Sequence, residues 1–199
     1  MDVEVLPRAN SAESSLALRA MRADDRDLVR GWRNSPHVAR YMYSDQQISP
    51  EAHARWFERA LADPTRRYWV IVADGVDIGL ANLYDLQAAH RRCFWAFYIG
   101  APEIRGKGIG SFVEYAVLSY VFDRLGFNKL CCEVLAENEP VWRMHEKYGF
   151  MIEGRYRRHV CKGGIFHDVI ALAMLAEDWA RLRPAMRQKL GERGLALDL

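Results

Sequence analysis

Arg105-Gly106-Lys107-Gly108-Ile109-Gly110 is the stretch of this sequence whose residue types and spacing are best suited to hold an anion. Residues 94–100 before it are aromatic and β-branched, with the character of a strand. Residues 111–122 after it carry apolar side chains at helical spacing. A strand that turns through glycines into a helix start gathers backbone N–H groups at the positive end of the helix dipole. Glycines at 106, 108 and 110 let backbone approach the ligand with no Cβ in the way. The pattern is not Gly-x-Gly-x-x-Gly and no Gly-Lys-Ser/Thr closes it, which leaves dinucleotide and P-loop readings weak.

Glu133 is the second group with chemistry to offer. It interrupts an apolar run at 130–135, and strand alternation puts it on the face shared by Cys131 and Leu135. A carboxylate there faces a cleft and, partly desolvated, serves as a general base, directly or through one water. The alternative is a carboxylate in bulk solvent or paired with an arginine.

These groups need a scaffold, and the chain is long enough for one. Its 199 residues, half of them hydrophobic, bury one good core and make two full domains a stretch. The 28 basic and 26 acidic residues nearly cancel, and no basic stripe with interleaved aromatics appears, which disfavours a nucleic-acid partner. Cys93, Cys131, Cys132 and Cys161 lack metal-ligand spacing, so no metal site is expected and free buried thiols in a reducing cytoplasm are. No apolar stretch spans a membrane, and residues 1–15 lack the apolar run of a signal peptide.

The expected order starts with a loose tail over 1–15 and a strand at 16–21. A helix follows from Asp24 and Asp25 to Arg33, and another from Ser49-Pro50 to about Ala62. Strands at 68–73 and 76–84 form a hairpin across Asp74-Gly75. A strand at 93–99, a helix to Leu125, a strand at 130–135 and a helix at 139–147 come next. Two strands at 151–158 and 166–174 and a helix at 178–190 complete the chain. The fold class is α/β (α+β), with a mixed sheet of about seven strands flanked by helices over 16–175 and a helical extension over 176–199.

Arg105-x-x-Gly-x-Gly110, Glu133 to Asn138, and Met144-His145-Glu146-Lys147-Tyr148-Gly149-Phe150 fall in the order found in the GNAT acetyltransferases, which this chain resembles. The resemblance implies a single GNAT domain, acetyl-CoA as cofactor and acetyl transfer to an amine. It implies that the 105–110 loop holds the cofactor's pyrophosphate, that Asn138 contacts the cofactor arm, and that the strand through Tyr98 and Gly100 pairs with that arm. Many members carry tyrosine as general acid where this chain has His145. Histidine can donate a proton near neutral pH, while a packing role would leave the thiolate to water.

Trp32-Arg33-Asn34-Ser35-Pro36, Tyr41-Met42-Tyr43 and Ile48-Ser49-Pro50-Glu51-Ala52-His53 are similar to the PseH/FlmH-type branch of that family, over residues 16–175. That branch acetylates the 4-amino group of UDP-4-amino-4,6-dideoxy-N-acetyl-beta-L-altrosamine, on the way to pseudaminic acid for flagellin glycosylation. The resemblance implies a UDP-amino-sugar partner. Arg33 and His53 would lie on its diphosphate, with Met42, Tyr43, Trp56 and Phe94 against the sugar and Asn82 as a hydrogen-bonding group. Each has a plainer reading as an ion-paired, exposed or core residue. A ribosomal-protein or N-terminal alanine acetyltransferase and a non-catalytic CoA-binding module are the competing functions, and a homodimer is the expected assembly.

Overall fold

The computed structural model describes residues 8–10, 15–101, 104 and 108–198. In chain order the elements are β1 (Arg8–Asn10), β2 (Ser15–Ala20), α1 (Arg26–Asn34), α2 (Pro36–Ala39), α3 (Pro50–Ala62), β3 (Arg67–Ala73), β4 (Val76–Gln87) and β5 (Arg92–Ile99). They continue as α4 (Ile109–Ser119), β6 (Lys129–Leu135), α5 (Glu139–Lys147), β7 (Met151–Lys162), β8 (Ile165–Leu175), α6 (Ala176–Glu192) and β9 (Ala196–Asp198). The strands join one mixed sheet in the order β7-β8-β6-β5-β4-β3-β2-β1-β9. The seven from β7 to β2 are the strands expected from the sequence. Arg8–Asn10 lie in the segment expected as a loose tail but form a short strand between β2 and the edge strand β9.

Local chemistry explains the connections. Asp74 and Gly75 both adopt positive φ, as the tight β3–β4 hairpin turn requires. Ser49 caps α3 by accepting from the Ala52 N–H at 3.2 Å, with Pro50 in the first turn where its missing N–H costs nothing. The β7–β8 turn is Gly163-Gly164, again both at positive φ, and β7 runs to Lys162 rather than stopping near Arg158. A register shift between Tyr156 and Val160, with Arg158 at positive φ, absorbs the irregularity that looks like a strand end in the sequence.

Two cores sit on opposite faces of the sheet. The larger packs α4 and α6 against Trp69, Trp95, Leu130, Cys132 and Leu172. The smaller packs Val29 and Trp32 of α1 and Phe57 of α3 against Val70 and Leu80, with Tyr98 beside them. Helix α6 belongs to the larger core, because Trp179 meets the rings of Tyr115 and Phe122 and donates its indole N–H to Asp123 at 3.2 Å. Trp179→Ala should therefore cost about 3–5 kcal/mol of unfolding free energy. Urea denaturation reads this directly, and a loss below about 1 kcal/mol would make α6 an appendage.

Candidate active site

The sheet opens between β5 and β6. These strands run parallel but pair only through Arg92, Cys93 and Phe94 against Lys129, Leu130 and Cys131. Beyond that point β6 stays with β8 and β5 stays with β4, so β5 from Trp95 to Ile99 has no strand partner on its β6 side. Backbone groups on such an edge accept an extended ligand as an added strand. Helix α4 begins beside this opening. Gly108 precedes it at φ +72°, and no side chain among the described residues caps it, which leaves first-turn N–H groups for an anion. Ile109 is buried beneath this turn, and a Cβ built on Gly110 would meet Met144 Sδ at 3.3 Å. Arg105, Gly106 and Lys107 lie outside the described residues. An extended thiol cofactor with a pyrophosphate end suits the free strand edge and the uncapped helix together.

Gly100 plays another part. Its N–H goes to the Ile78 carbonyl at 2.7 Å, its carbonyl meets His37 Nε2 at 3.0 Å, and a Cβ there would fall within 2.2 Å of the Trp32 indole. It lets α1 close on the end of β5, so the groups open to a cofactor arm lie upstream of it. Asn138 sits at the N-terminus of α5, and its carboxamide makes no hydrogen bond among the described residues.

On the α1–α3 face, strand alternation lines up Asn82 and Tyr84 of β4, Phe94, Ala96 and Tyr98 of β5, and Glu133 of β6. Ala96 is exposed and the others are half-buried, which makes this face the floor of an open cleft. Tyr43, from the loop after α2, donates its phenol to Glu133 Oε2 at 2.9 Å across 90 residues of sequence. Tyr84 stacks on Phe94 with centroids 5.5 Å apart. Burial first, and then the nearby Glu133 charge, raise the pKa of Tyr43 and of Tyr84, so both phenols stay protonated. Met42 is half-buried in the same turn as Tyr43. The structure thus gathers Glu133, Tyr43, Phe94 and Asn82 on one side of the cleft. Tyr84 escaped the sequence reading, although its two-residue spacing from Asn82 was the available signal.

Arg33 of α1 lies near Tyr98. Burial lowers its pKa, against a smaller opposing effect of Tyr98, and no carboxylate pairs with it among the described residues. The Tyr98 hydroxyl is buried and unpartnered, and it faces α1 rather than the α4 side. His53 and Trp56 belong to packing. His53 is 2 % exposed, and its ring lies 5.1 Å from that of Trp56 and 5.7 Å from that of Phe57. Burial, with Arg30 next, lowers the His53 pKa and keeps the ring neutral. Trp56 stands edge-on to Tyr68 in the same cluster.

His145 lies in the larger core rather than in open solvent. It is 3 % exposed, it stands edge-on to Trp95, and its Nδ1 lies 2.8 Å from Glu114 Oε1. Glu114 is wholly buried in α4, and desolvation raises its pKa against the opposing pull of His145. The lone charge inside the apolar helix run was the sequence signal for this partner. Of the cysteines, Cys93, Cys131 and Cys132 are buried while Cys161 is exposed, against the expectation that all would be buried. Burial pushes the Cys93 thiol up to about 12, which removes it as a nucleophile.

Residues 15–151 match the acetyltransferase (GNAT) domain family. The chain is 26% identical over 165 residues to the spermidine N(1)-acetyltransferase of Escherichia coli K12, covering 83% of this chain and 88% of that protein. It is 24% identical over 137 residues to the acetyltransferase PseH of Campylobacter jejuni, covering 68% and 83%. The fold superposes on the spermidine N-acetyltransferase of Vibrio cholerae, solved with CoA and spermine, at a TM-score of 0.77 and 25% identity over 83% of this chain and 98% of that one.

One consequence of the buried pair is open to test. Glu114→Ala strands a buried imidazole and should cost about 1–3 kcal/mol in stability. Equilibrium denaturation measures it, and an unchanged midpoint would show that His145 finds another partner.

Proposed function

We propose that this chain, which belongs to the GNAT acetyltransferase family and is thus an acetyl-CoA-dependent N-acetyltransferase, acts on an amine acceptor that also carries an anionic group. A UDP-linked amino-dideoxy sugar, UDP-4-amino-4,6-dideoxy-N-acetyl-beta-L-altrosamine of pseudaminic acid synthesis, has that chemistry. The observation that carries the reading is Arg33, half-buried near Tyr98 and without a carboxylate partner among the described residues. A desolvated guanidinium gains most from an anionic ligand that forms paired hydrogen bonds with it. The stretch 26–62, which frames the cleft, holds six arginines against four acids. Tyr43, Tyr84, Phe94 and Ala96 give an apolar surface for a deoxysugar ring, and the similarity to PseH supports the same reading.

In this reading the bound cofactor supplies the acetyl group as a thioester. Glu133, with Oε2 held by the Tyr43 phenol, takes the proton of the attacking amine, directly or through one water. Backbone N–H groups on the free edge of β5 polarise the thioester carbonyl, and a well-placed donor is worth about 2.7–4 kcal/mol of barrier. Since His145 is enclosed with Glu114, water protonates the departing thiolate. His53 and Trp56 act by packing.

The similarity to two spermidine acetyltransferases favours a second reading, with a polyamine as acceptor. A polycation is stabilised by clustered carboxylates, and the arginine excess over 26–62 opposes it. Thiol release with the UDP-amino sugar, spermidine and an alanine-ended peptide separates the readings. The nucleotide sugar should give the highest kcat/KM, and a preference for spermidine would overturn the anionic reading. Glu133→Gln should lower kcat about 10²–10⁴-fold, and unchanged turnover would remove Glu133 from the chemistry. Arg33→Ala should raise the acceptor KM about 10-fold or more and leave CoA affinity unchanged. Equal weakening of both ligands would make Arg33 a structural residue.

A further inference from the structure

The loop that carries Tyr43 is tied down at both ends by a distant part of the chain. Lys162, the last residue of β7, donates its ammonium to the Arg40 carbonyl at 2.7 Å and the Ala39 carbonyl at 3.3 Å. These carbonyls close the short helix α2, where a positive charge is favourable. The next residue, Gly163, donates its N–H to Asp45 Oδ2 at 2.6 Å. Gly163 stands at φ +52° to present that N–H, a conformation that disfavours side chains bearing a Cβ. Tyr43 lies between the two ties, and its phenol reaches Glu133. Behind it, Glu133 pairs with Ala171 of β8, which returns through the same hairpin to Gly164 and Lys162. The contacts therefore form a closed ring from Glu133 through β8, the hairpin tip, the 40–45 loop and Tyr43 back to Glu133.

We propose that the β7–β8 hairpin tip is a positioning device for the acceptor site, with Lys162 as the residue that holds Tyr43 against Glu133 and so sets acceptor binding. The Tyr43–Glu133 bond is solvent-exposed and would be weak alone, since an exposed pair must order both side chains. Pinning the loop at positions 40 and 45 removes most of the freedom that Tyr43 would otherwise lose on meeting Glu133 or an acceptor. Lys162 touches only backbone carbonyls in the loop, so it acts through the loop and not on the reacting atoms. The proposal rests on the reading of Glu133 as the base.

A double-mutant cycle on the full chain tests it, with steady-state rates measured separately against acceptor and acetyl-CoA. Lys162→Met should raise the acceptor KM about 5- to 20-fold, the range expected when charge-assisted bonds are lost, with the acetyl-CoA KM unchanged. Lys162→Arg should restore most of the acceptor affinity. In a Tyr43→Phe background, Lys162→Met should add less than about 2-fold, because its effect passes through the phenol. Full additivity of the two substitutions, or an unchanged acceptor KM in Lys162→Met, overturns the proposal. Silence of Lys162→Met beside an inactive Glu133→Gln refutes the clamp alone, whereas full activity of Glu133→Gln refutes the reading of the base beneath it.

Discussion

Everything about this site depends on the parting of β5 from β6. Three paired rows hold the strands together, and then each strand follows its own antiparallel neighbour. On the α4 side the rings of Trp95, Phe97 and Phe150 surround His145 edge-on or tilted, with centroid distances of 5.3–6.5 Å from the imidazole. A free strand edge in the middle of a sheet costs unpaired backbone groups, and it is held here by the pairing of β5 with β4 through Ile99 and of β6 with β8 through Leu135. The opening faces the α4 N-terminus at one end and Glu133 at the other. A thioester laid along it would be anchored by its phosphates and presented to an amine on the opposite face.

Two carboxylates serve this arrangement in different ways. Glu114 is sealed in the core with one oxygen on His145 and the other unpartnered, and it joins the cofactor helix to α5. Glu133 is half-buried, shares one oxygen with a phenol, and sits at the cleft floor. Burial encloses the first in the core, whereas the second stands on the cleft face. His145 is the partner that Glu114 meets in that core, edge-on to Trp95.

Much of the scaffold was legible from local chemistry. Asp74-Gly75 specified its hairpin, Ser49-Pro50 its helix start, and two-residue alternation placed Glu133 on the cleft face. What escaped were effects of register and long-range contact. Nothing in the neighbourhood of Tyr43 marks it as a partner of Glu133, because that bond follows from how the hairpin tip holds the loop. His53 and His145 have residue types suited to chemistry, but their helices turn them inward. Gly100, expected at the cofactor, instead makes room for Trp32. The short strands β1 and β9 are three residues each, too short for periodicity to reveal.

An extended thioester cofactor lying in the gap between β5 and β6, with its anionic end on α4, would perturb the amides that line the gap. Amide chemical shifts recorded while CoA is titrated into the protein test this most directly. Saturable shifts should concentrate at residues 95–99 and 109–111, with little change on α3. Saturable binding that leaves those amides unmoved would contradict it.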